Sequence, residues 1–174
     1  MSTYTTAWKS PSNIALVKYW GKKPNDTQIP SNASISFTLN NCATSTQLTY
    51  EEQESLEISV LLEGENEPSF VPKIEQFLKR ISGVFPFVLR GKYTIDTSNS
   101  FPHSSGIASS ASGMSALALC ICDIAMEKGL LTEDKFKETA SELARLGSGS
   151  ASRSIYGPMG EWGEHPDFAG SSDN

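Results

Sequence analysis

The sequence predicts a domain of the α+β class, and three observations support this prediction. The first half of the chain carries short runs of β-prone residues, typical of strands. The apolar residues then recur at helical spacing over residues 70–81. One more strand and two helical stretches follow, with no internal repeat and no interdomain linker. We therefore expect residues 1–174 to form one domain with strands, helix, strand, helix and helix in that order.

Five strands are predicted from apolar runs, β-prone composition and flanking turn residues. They cover residues 13–20, 34–39, 44–50, 56–62 and 92–97. In the second of these, small polar residues alternate with Ile35, Phe37 and Leu39. This two-residue period is the pattern expected of a strand with two different faces.

Three helices are predicted. The first covers residues 70–81, with Ser69 as its N-cap. The second, over residues 114–126, is apolar enough to be a buried helix. The third covers residues 133–146 and starts after Thr132, another N-cap residue.

Composition excludes several classes of protein. The 174 residues are 38% hydrophobic, which excludes a strongly disordered, collagen-like or disulfide-framework chain. With 14 Lys and Arg against 20 Asp and Glu, the net charge is −6. An acidic surface argues against broad binding of nucleic acid or anionic membrane. A small anionic ligand stays compatible with it, because a few local cations can outweigh a distant field.

The cysteines and the apolar runs indicate a reduced, membrane-free setting. Cys120 and Cys122 stand two apart in an apolar helix and are interpreted as core residues. With only His103 and His165 in the chain, a zinc site is not expected, and no metal ligand is assigned. No apolar run reaches the roughly 20 residues of a membrane helix, and the first residues lack a signal-peptide core. We expect a cytoplasmic protein.

Residues 99–113, NSFPHSSGIASSASG, are the most informative segment. A strand that feeds a small-residue loop and then a helix presents backbone N–H groups at the positive end of the helix dipole, a cradle for phosphates. Hydroxyl donors come from Ser104, Ser105, Ser109 and Ser110. Gly106 permits a positive φ. A solvated loop that merely caps the helix is the alternative, but Ser112 and Ser115 inside an apolar helix favour a polar pocket wall.

Standard catalytic signatures are absent. The chain has no GxxxxGK[ST] phosphate loop, no complete GxGxxG fingerprint and no GxSxG nucleophile elbow. His103 is too close to Ser104 in sequence to indicate a catalytic triad. An ordinary phosphate-loop kinase, a dinucleotide-binding domain and a serine hydrolase are therefore unsupported.

Two further clusters contain cations. Lys18, Tyr19 and Lys22 surround Trp20 and a glycine, so they could clamp an anionic, partly apolar ligand; taken alone, the lysines fit surface charges as well. Arg153 follows Ser148 and Ser150, and a guanidinium grips carboxylate or phosphate in bidentate fashion. Taken alone, an arginine after a helix also fits a partner of the helix C-terminus.

Three strings together resemble the diphosphomevalonate decarboxylase family. They are NIALVKYWGK, FPHSSGIASSASG and ARLGSGSASRS, and the likeness extends over nearly the whole chain. That family belongs to the superfamily of galactokinase, homoserine kinase, mevalonate kinase and phosphomevalonate kinase. The resemblance implies the N-terminal domain of this superfamily, a ribosomal-protein-type two-layer α/β sandwich, without a C-terminal domain. Ser152 stands where the family string usually has cysteine, and we expect little effect.

The resemblance implies ATP-dependent decarboxylation of (R)-5-diphosphomevalonate to isopentenyl diphosphate, CO2, ADP and phosphate, in the mevalonate pathway of isoprenoid synthesis. ATP and Mg2+ are the implied cofactors. By the family's motifs, Asn13 and Arg153 would hold the substrate carboxylate region, and Arg153 and Lys18 are the implied catalytic residues. Contacts to the diphosphate are implied for Tyr19, Lys22, Ser148 and Ser150. ATP phosphates would lie on Ser104, Ser105, Gly106, Ser109 and Ser110.

One departure from the family is severe. Family members are much longer, and their catalytic aspartate lies in the C-terminal half, so none of the six aspartates here matches it. We expect this chain to be the N-terminal part of the enzyme and nearly inactive alone. The alternatives are a mevalonate 3-kinase or phosphomevalonate decarboxylase of the same branch, or a non-catalytic module that binds a phosphate ligand. A homodimer is left open.

Overall fold

The structure is a computed structural model that describes residues 2–17, 21, 31–102 and 106–162. Its strands and helices are, in chain order, β1 (Thr3–Val17), β2 (Ser34–Glu51), β3 (Leu56–Leu62), β4 (Glu65–Asn66), α1 (Val71–Ile81), β5 (Gly91–Asn99), α2 (Ser109–Glu127), α3 (Phe136–Gly147) and β6 (Met159–Trp162). Short 3₁₀ helices lie at Pro68–Phe70, Pro86–Leu89, Glu133–Lys135 and Gly149–Ser154.

The described strands form one mixed sheet in the order β1-β2-β5-β3-β4. The pairs β1–β2 and β2–β5 are antiparallel, whereas β3 and β5 are parallel and are connected through α1. A parallel pair needs such a crossover because its strands start at the same edge of the sheet. Strand β6 pairs with the first residues of β2, from Ser34 opposite Trp162 to Phe37 opposite Met159.

The helices cover one face of this sheet, so the domain has two layers. Along β2, Thr46 and Leu48 are buried toward the helices, whereas Ser45 and Gln47 are exposed on the other face. Helix α2 is central, because it contacts β1, β2 and α3. The predicted α+β class and the two-layer architecture are confirmed.

Helix α2 is the core helix of the domain. Cys120 and Cys122 are fully buried in it, which confirms their interpretation as core residues. Among the described residues, α2 is also the one helix with the length and mean hydropathy of a membrane span. Because 72% of that stretch is buried inside the domain, its apolar character is explained by packing against the sheet and α3.

The strands differ from the prediction in length. Strand β1 starts at Thr3, and the predicted strand over residues 13–20 is its end, of which residues 18–20 lie outside the described part of the chain. The strands predicted over residues 34–39 and 44–50 are one strand, β2, which pairs with β1 from Ile35 to Glu51 with a register shift that leaves residues 40–42 without partners in β1. Strand β6 was not predicted. Pairing across a hairpin overrides the local composition that separates these segments.

The helix starts also differ. Ser69 is not the cap of α1, which begins at Val71; its hydroxyl donates instead to the Glu67 carboxylate at 2.6 Å. Thr132 makes no capping bond either, because a 3₁₀ turn precedes α3. Helix α2 begins at Ser109, five residues earlier than predicted. The serine-rich segment therefore belongs to the helix as well as to the loop.

Candidate functional site

The loop before α2 has the backbone that the sequence predicts for a phosphate cradle. Gly106 has a φ of +79°, so the positive φ expected there is confirmed. Ala108 is also left-handed, at φ 49°, and α2 begins at the next residue. Its N-cap makes no side-chain hydrogen bond. The first turn of α2, with Ser109 and Ser110, thus offers backbone N–H groups and hydroxyls at the positive end of the helix.

Hydrogen bonds from the sheet fix this helix start in place. The buried Ser12 hydroxyl of β1 donates to the carbonyl oxygens of Ile107 and Ala108. Ser112 lies 2.6 Å, Oγ to Oγ1, from Thr44 of β2 and donates to the Ser109 carbonyl at 3.2 Å. Contacts within the domain therefore hold Ile107, Ala108 and the first turn of α2 in place.

The interpretation of Ser112 and Ser115 as a polar pocket wall is wrong. Both side chains are 0% exposed, and each hydrogen-bonds to a strand. Ser115 Oγ lies 2.6 Å from Ser10 Oγ of β1, as Ser112 lies against Thr44. Small residues with hydroxyls allow α2 to approach the sheet closely while each polar group keeps a partner.

A cavity of about 290 Å³ opens directly beside this helix start. It lies between α1, the ends of β3 and β5, and the first turns of α2. Its walls are mainly apolar, with Val60, Leu62, Phe70 and Ile74 among them. Thr97, Asn99, Ser109 and Ser110 supply polar groups. An apolar cavity with a few convergent polar groups is the usual form of a small-molecule site.

Lys73 of α1 adds a cation to this cavity. Its side chain is largely exposed, yet partial burial against the cavity lowers the pKa of its ammonium below the ordinary value. An ammonium that is partly desolvated and close to an apolar cavity favours an anionic ligand nearby. Apart from Ser109 and Ser110, the residues of this cavity were not predicted as site residues from the sequence. Nothing in the spacing of Lys73, for example, distinguishes it from a surface lysine.

The third sequence cluster folds as the 3₁₀ helix Gly149–Ser154, directly after α3. Gly147 is the last residue of α3 and lies against Met114 of α2 and Phe77 of α1. A Cβ at Gly147 would lie 2.4 Å from Met114 Cε, which is too close for a real contact. The close approach explains the glycine at this position. Arg153 is buried, at 5% exposure, and its Nη1 donates to the fully buried Ser34 hydroxyl of β2.

Asn13 connects this segment to β1. Its side-chain amide donates to the Ser150 carbonyl at 3.0 Å and to Ser154 Oγ at 2.8 Å. The carbonyl of Ser150 can only accept, which fixes the orientation of the Asn13 amide. Asn13 Oδ1 is buried and receives no hydrogen bond within the described part of the chain. We name Asn13, Ser34, Ser150, Arg153 and Ser154 the Arg153 cluster.

The structure therefore brings together part of the predicted site. Asn13, Ser150 and Arg153 meet in the Arg153 cluster, and the half-buried Ser148 directly precedes it. Gly106, Ser109 and Ser110 lie together at the start of α2. The remaining candidates, which are Lys18, Tyr19, Lys22, Ser104 and Ser105, lie outside the described residues, as do His103 and His165.

The described residues contain no cluster of metal ligands. Over residues 2–17, 21, 31–102 and 106–162, no group of three or more His, Cys, Asp or Glu could hold a metal ion. Asp123 of α2 accepts hydrogen bonds from Thr6 and from Trp8 Nε1, the latter at 3.2 Å, so it anchors the helix to β1. Within the described residues, the polar groups of the cradle are hydroxyls and backbone amides.

Comparisons with known proteins place these features in a family context. The sequence model of the family described as "Diphosphomevalonate decarboxylase-like N-terminal domain" matches residues 10–173. The curated diphosphomevalonate decarboxylase of Bos taurus is 34% identical over an alignment 174 residues long, gaps included, that covers 91% of this chain and 41% of that protein. The chain thus spans about two fifths of the length of such relatives.

Solved structures with a similar fold have bound ligands named in their descriptions. One concerns the "Mevalonate diphosphate mediated ATP binding mechanism" of the Enterococcus faecalis decarboxylase; it has a TM-score of 0.77 and 34% identity, over 95% of this chain and 50% of that one. Another, described as "MDDEF in complex with MVAPP, AMPPCP and Magnesium", has a TM-score of 0.76 and 34% identity, over 95% and 49%.

Proposed function

We propose a function for this chain, which belongs to the diphosphomevalonate decarboxylase-like N-terminal domain family. In this proposal the chain supplies the ATP cradle and most substrate contacts of an ATP-dependent decarboxylase of (R)-5-diphosphomevalonate. One observation carries the proposal. Two consecutive residues of β1 support two different sites, because Ser12 holds the loop before α2 and Asn13 holds the Arg153 cluster. A phosphate cradle and a buried guanidinium are thereby set next to each other.

The nucleotide is assigned to the start of α2 and the cavity beside it. We assign its phosphates to Gly106, Ser109 and Ser110 at the start of α2. By the family's motifs, we assign them to Ser104 and Ser105 as well. Its base and ribose enter the cavity lined by Val60, Leu62 and Phe70, whose apolar walls suit a flat aromatic base. Among the cradle residues, Ser110 is exposed in the first turn of α2 and is our strongest single candidate.

Mg2+ fits this site as a cation carried by the nucleotide. Serine hydroxyls are oxygen donors, which Mg2+ prefers, and the described residues contain no acidic cluster that would bind it independently. Ser109 and Ser110 are the residues that would hold the Mg2+–ATP unit. When bound, Mg2+ neutralises charge on the transferred phosphoryl group.

The substrate is assigned to the Arg153 cluster and the segment after β1. Arg153 takes the carboxylate, while Asn13 orders the turn that carries Arg153. By the family's motifs, we assign Tyr19, Lys22, Ser148 and Ser150 to the diphosphate, and Lys18 to the reacting centre as a catalytic cation. A further part of the complete enzyme supplies the carboxylate base that this chain lacks.

The proposed reaction has three steps, which are phosphoryl transfer, loss of phosphate and loss of CO2. ATP transfers its γ-phosphoryl group to the oxygen of the tertiary 3-hydroxyl, whose proton passes to the carboxylate base, giving ADP and a new O–P bond. The original C3–O bond of the substrate then breaks, and phosphate departs with its electron pair. The C–C bond to the carboxylate breaks next, and its electron pair forms the double bond of isopentenyl diphosphate as CO2 leaves. A tertiary alcohol is a poor nucleophile, so positioning and charge neutralisation supply most of the rate. Arg153 retains the carboxylate until positive charge develops at C3.

Calorimetric titrations of this chain test the proposal. Wild type should bind Mg2+–ATP and (R)-5-diphosphomevalonate, with Ser110→Ala weakening the first and Arg153→Ala the second, each by about tenfold. Mevalonate and its 5-phosphate, run in parallel, separate the decarboxylase from a mevalonate 3-kinase or a phosphomevalonate decarboxylase. A folded chain that binds neither ligand would overturn the proposal. So would phosphate release by the chain alone above roughly 1 s⁻¹, the low end of ordinary enzymes.

The setting that we propose for this activity is the cytoplasm, where ATP and a soluble diphosphate substrate are available. The partners are small molecules, with no nucleic acid and no membrane. The acidic net charge of −6 supports the exclusion of polyanionic partners. A homodimer stays a prediction, which sedimentation of the purified chain can test.

A further inference from the structure

We infer that Ser34 is a positioning residue, which holds the Arg153 guanidinium in the orientation that selects a carboxylate-bearing ligand. The inference rests on the proposed function, in which Arg153 takes the substrate carboxylate. Ser34 itself touches no ligand in this account. Its role is to set the direction of a cation on another element.

The contact that supports this role is buried on both sides. Ser34 is 0% exposed and Arg153 is 5% exposed, and Arg153 Nη1 donates to Ser34 Oγ. An arginine side chain has several rotatable bonds, so holding it in one place has an entropic cost. Because Ser34 already restricts the Arg153 side chain in the ligand-free domain, ligand binding removes less of its rotamer entropy.

Ser34 is itself held firmly. It is the first residue of β2, which lies between β1 and β6 at this end. Ser34 pairs with Trp162 of β6, and the next residue, Ile35, pairs with both Val17 of β1 and Glu161 of β6. A central position in a sheet leaves the backbone little freedom, so the hydroxyl is delivered to a defined point. Arg153 is held from its own side as well, because Asn13 anchors the turn on which it lies.

The chemistry of the contact suits a carboxylate receptor. A guanidinium carries five N–H donors, and a serine hydroxyl is a neutral acceptor that occupies one of them. A carboxylate in the place of Ser34 would cancel the positive charge. The hydroxyl orients the guanidinium without itself adding a negative charge, and a carboxylate is the ligand group that forms a strong bidentate pair with a guanidinium.

The test measures selectivity rather than affinity alone. The two ligands are (R)-5-diphosphomevalonate and 3-hydroxy-3-methylbutyl diphosphate, which keeps the diphosphate and the tertiary hydroxyl but lacks the carboxylate. We expect wild type to prefer the first ligand, and Ser34→Ala to lower this preference roughly tenfold, the scale of one charge-assisted hydrogen bond. Ser34→Cys, nearly isosteric but a weak acceptor, should do the same, whereas Ser34→Thr should retain the preference.

Ser115→Ala is the matched control, because it also removes a buried serine hydroxyl that bonds across to a neighbouring element, here Ser10 of β1. A merely structural loss should weaken both ligands equally in Ser34→Ala and Ser115→Ala, leaving the preference unchanged. If folded Ser34→Ala and Ser34→Cys both keep the wild-type preference within twofold, the role of Ser34 is overturned. If wild type itself shows no preference, the proposed role of Arg153 fails, and this inference fails with it.

Discussion

Ser12 and Asn13 are consecutive in β1, yet both are buried, at 0% and 3% exposure, and they bond to different parts of the domain. A regular strand points successive side chains to opposite faces, so one of the two would ordinarily face solvent in a sheet covered on one side. The β1–β2 register shifts between Pro11 and Ser12, and such irregularities re-aim side chains. Ser12 and Asn13 therefore connect β1 to the start of α2 and to the 3₁₀ helix that carries Arg153.

Removing the Asn13 amide should destabilise the domain. Asn13→Ala deletes the donors to Ser150 and Ser154 and leaves the part-buried Ser150 carbonyl without this partner. We expect a loss of about 1–3 kcal/mol in the free energy of unfolding, measured by urea denaturation. Asn41→Ala, at an exposed asparagine in the same sheet, should change stability by less than about 0.5 kcal/mol. Equal effects of the two substitutions would contradict the account of the Arg153 cluster.

Gly106→Ala should strain the phosphate cradle without any steric clash. A Cβ at Gly106 meets nothing within 4 Å, but the φ of +79° is unfavourable for an L side chain. The expected cost is about 1 kcal/mol of stability, together with weaker Mg2+–ATP binding. Gly83→Ala is the control, because its Cβ also meets open space and no positive φ is involved. Unaltered nucleotide affinity in Gly106→Ala would show that the loop before α2 is not part of the site.

Lys73→Ala should weaken nucleotide binding without affecting the diphosphate substrate. The Lys73 ammonium lines the cavity beside α2, so its removal takes away a favourable charge near the phosphates. For a largely exposed cation we expect up to about 1 kcal/mol, or fivefold in Kd by calorimetry. Lys79→Ala on the same helix is the control, since Lys79 is exposed and pairs with Glu75. An equal effect of both substitutions would indicate only a long-range charge effect.

Two buried thiols should make the domain sensitive to alkaline pH. Burial raises the pKa of Cys120 and of Cys122 from 9.0 to about 12. The unfolded chain therefore releases these protons first, so stability is unaffected below pH 9 and is lost as pH rises from 9 toward 12. The slope is up to about 1.4 kcal/mol per pH unit for each thiol.

Urea denaturation between pH 8 and pH 11 checks this prediction. Cys120→Ala and Cys122→Ala should each lower stability at pH 8 but reduce its decline with pH. Ile121→Val removes a buried methylene from the same helix and has no titratable group, so it should lower stability without changing the decline. A wild-type stability that stays constant to pH 11 would contradict the burial of the thiols.

The sequence permits a good prediction of the fold class and of the loop that starts α2, because composition and periodicity are local signals. The burial pattern at the start of β2 could not be predicted in the same way. Ser34 and Ser36 are buried there, while Ile35 and Phe37 are 36% and 42% exposed, the reverse of the usual alternation. The alternation of polar and apolar residues identifies the strand. It does not reveal that the buried Arg153 contacts the strand at Ser34.

The support of the site was harder to predict than the site itself. Arg153 and Ser110 stand in recognisable motifs, whereas Ser12 and Ser34 are ordinary serines whose roles depend on partners about 95 and 119 residues away. The cavity residues Phe70 and Lys73 likewise come from a helix that carries no motif. Contacts of such sequence separation arise only from the tertiary fold, so a single sequence holds no direct signal for them.

Mapping of backbone amide chemical shifts in this chain, with Mg2+–ATP and then (R)-5-diphosphomevalonate, tests the central claim most directly. We predict that the nucleotide shifts the amides of Ser109, Ser110 and Gly113, and that the substrate shifts those of Ser150 and Arg153. The second cavity of the domain, lined by Tyr50, Phe87 and Lys128 among others, provides an internal comparison. Shifts confined to that second cavity, with the α2 start and the Arg153 cluster unchanged, would contradict the account.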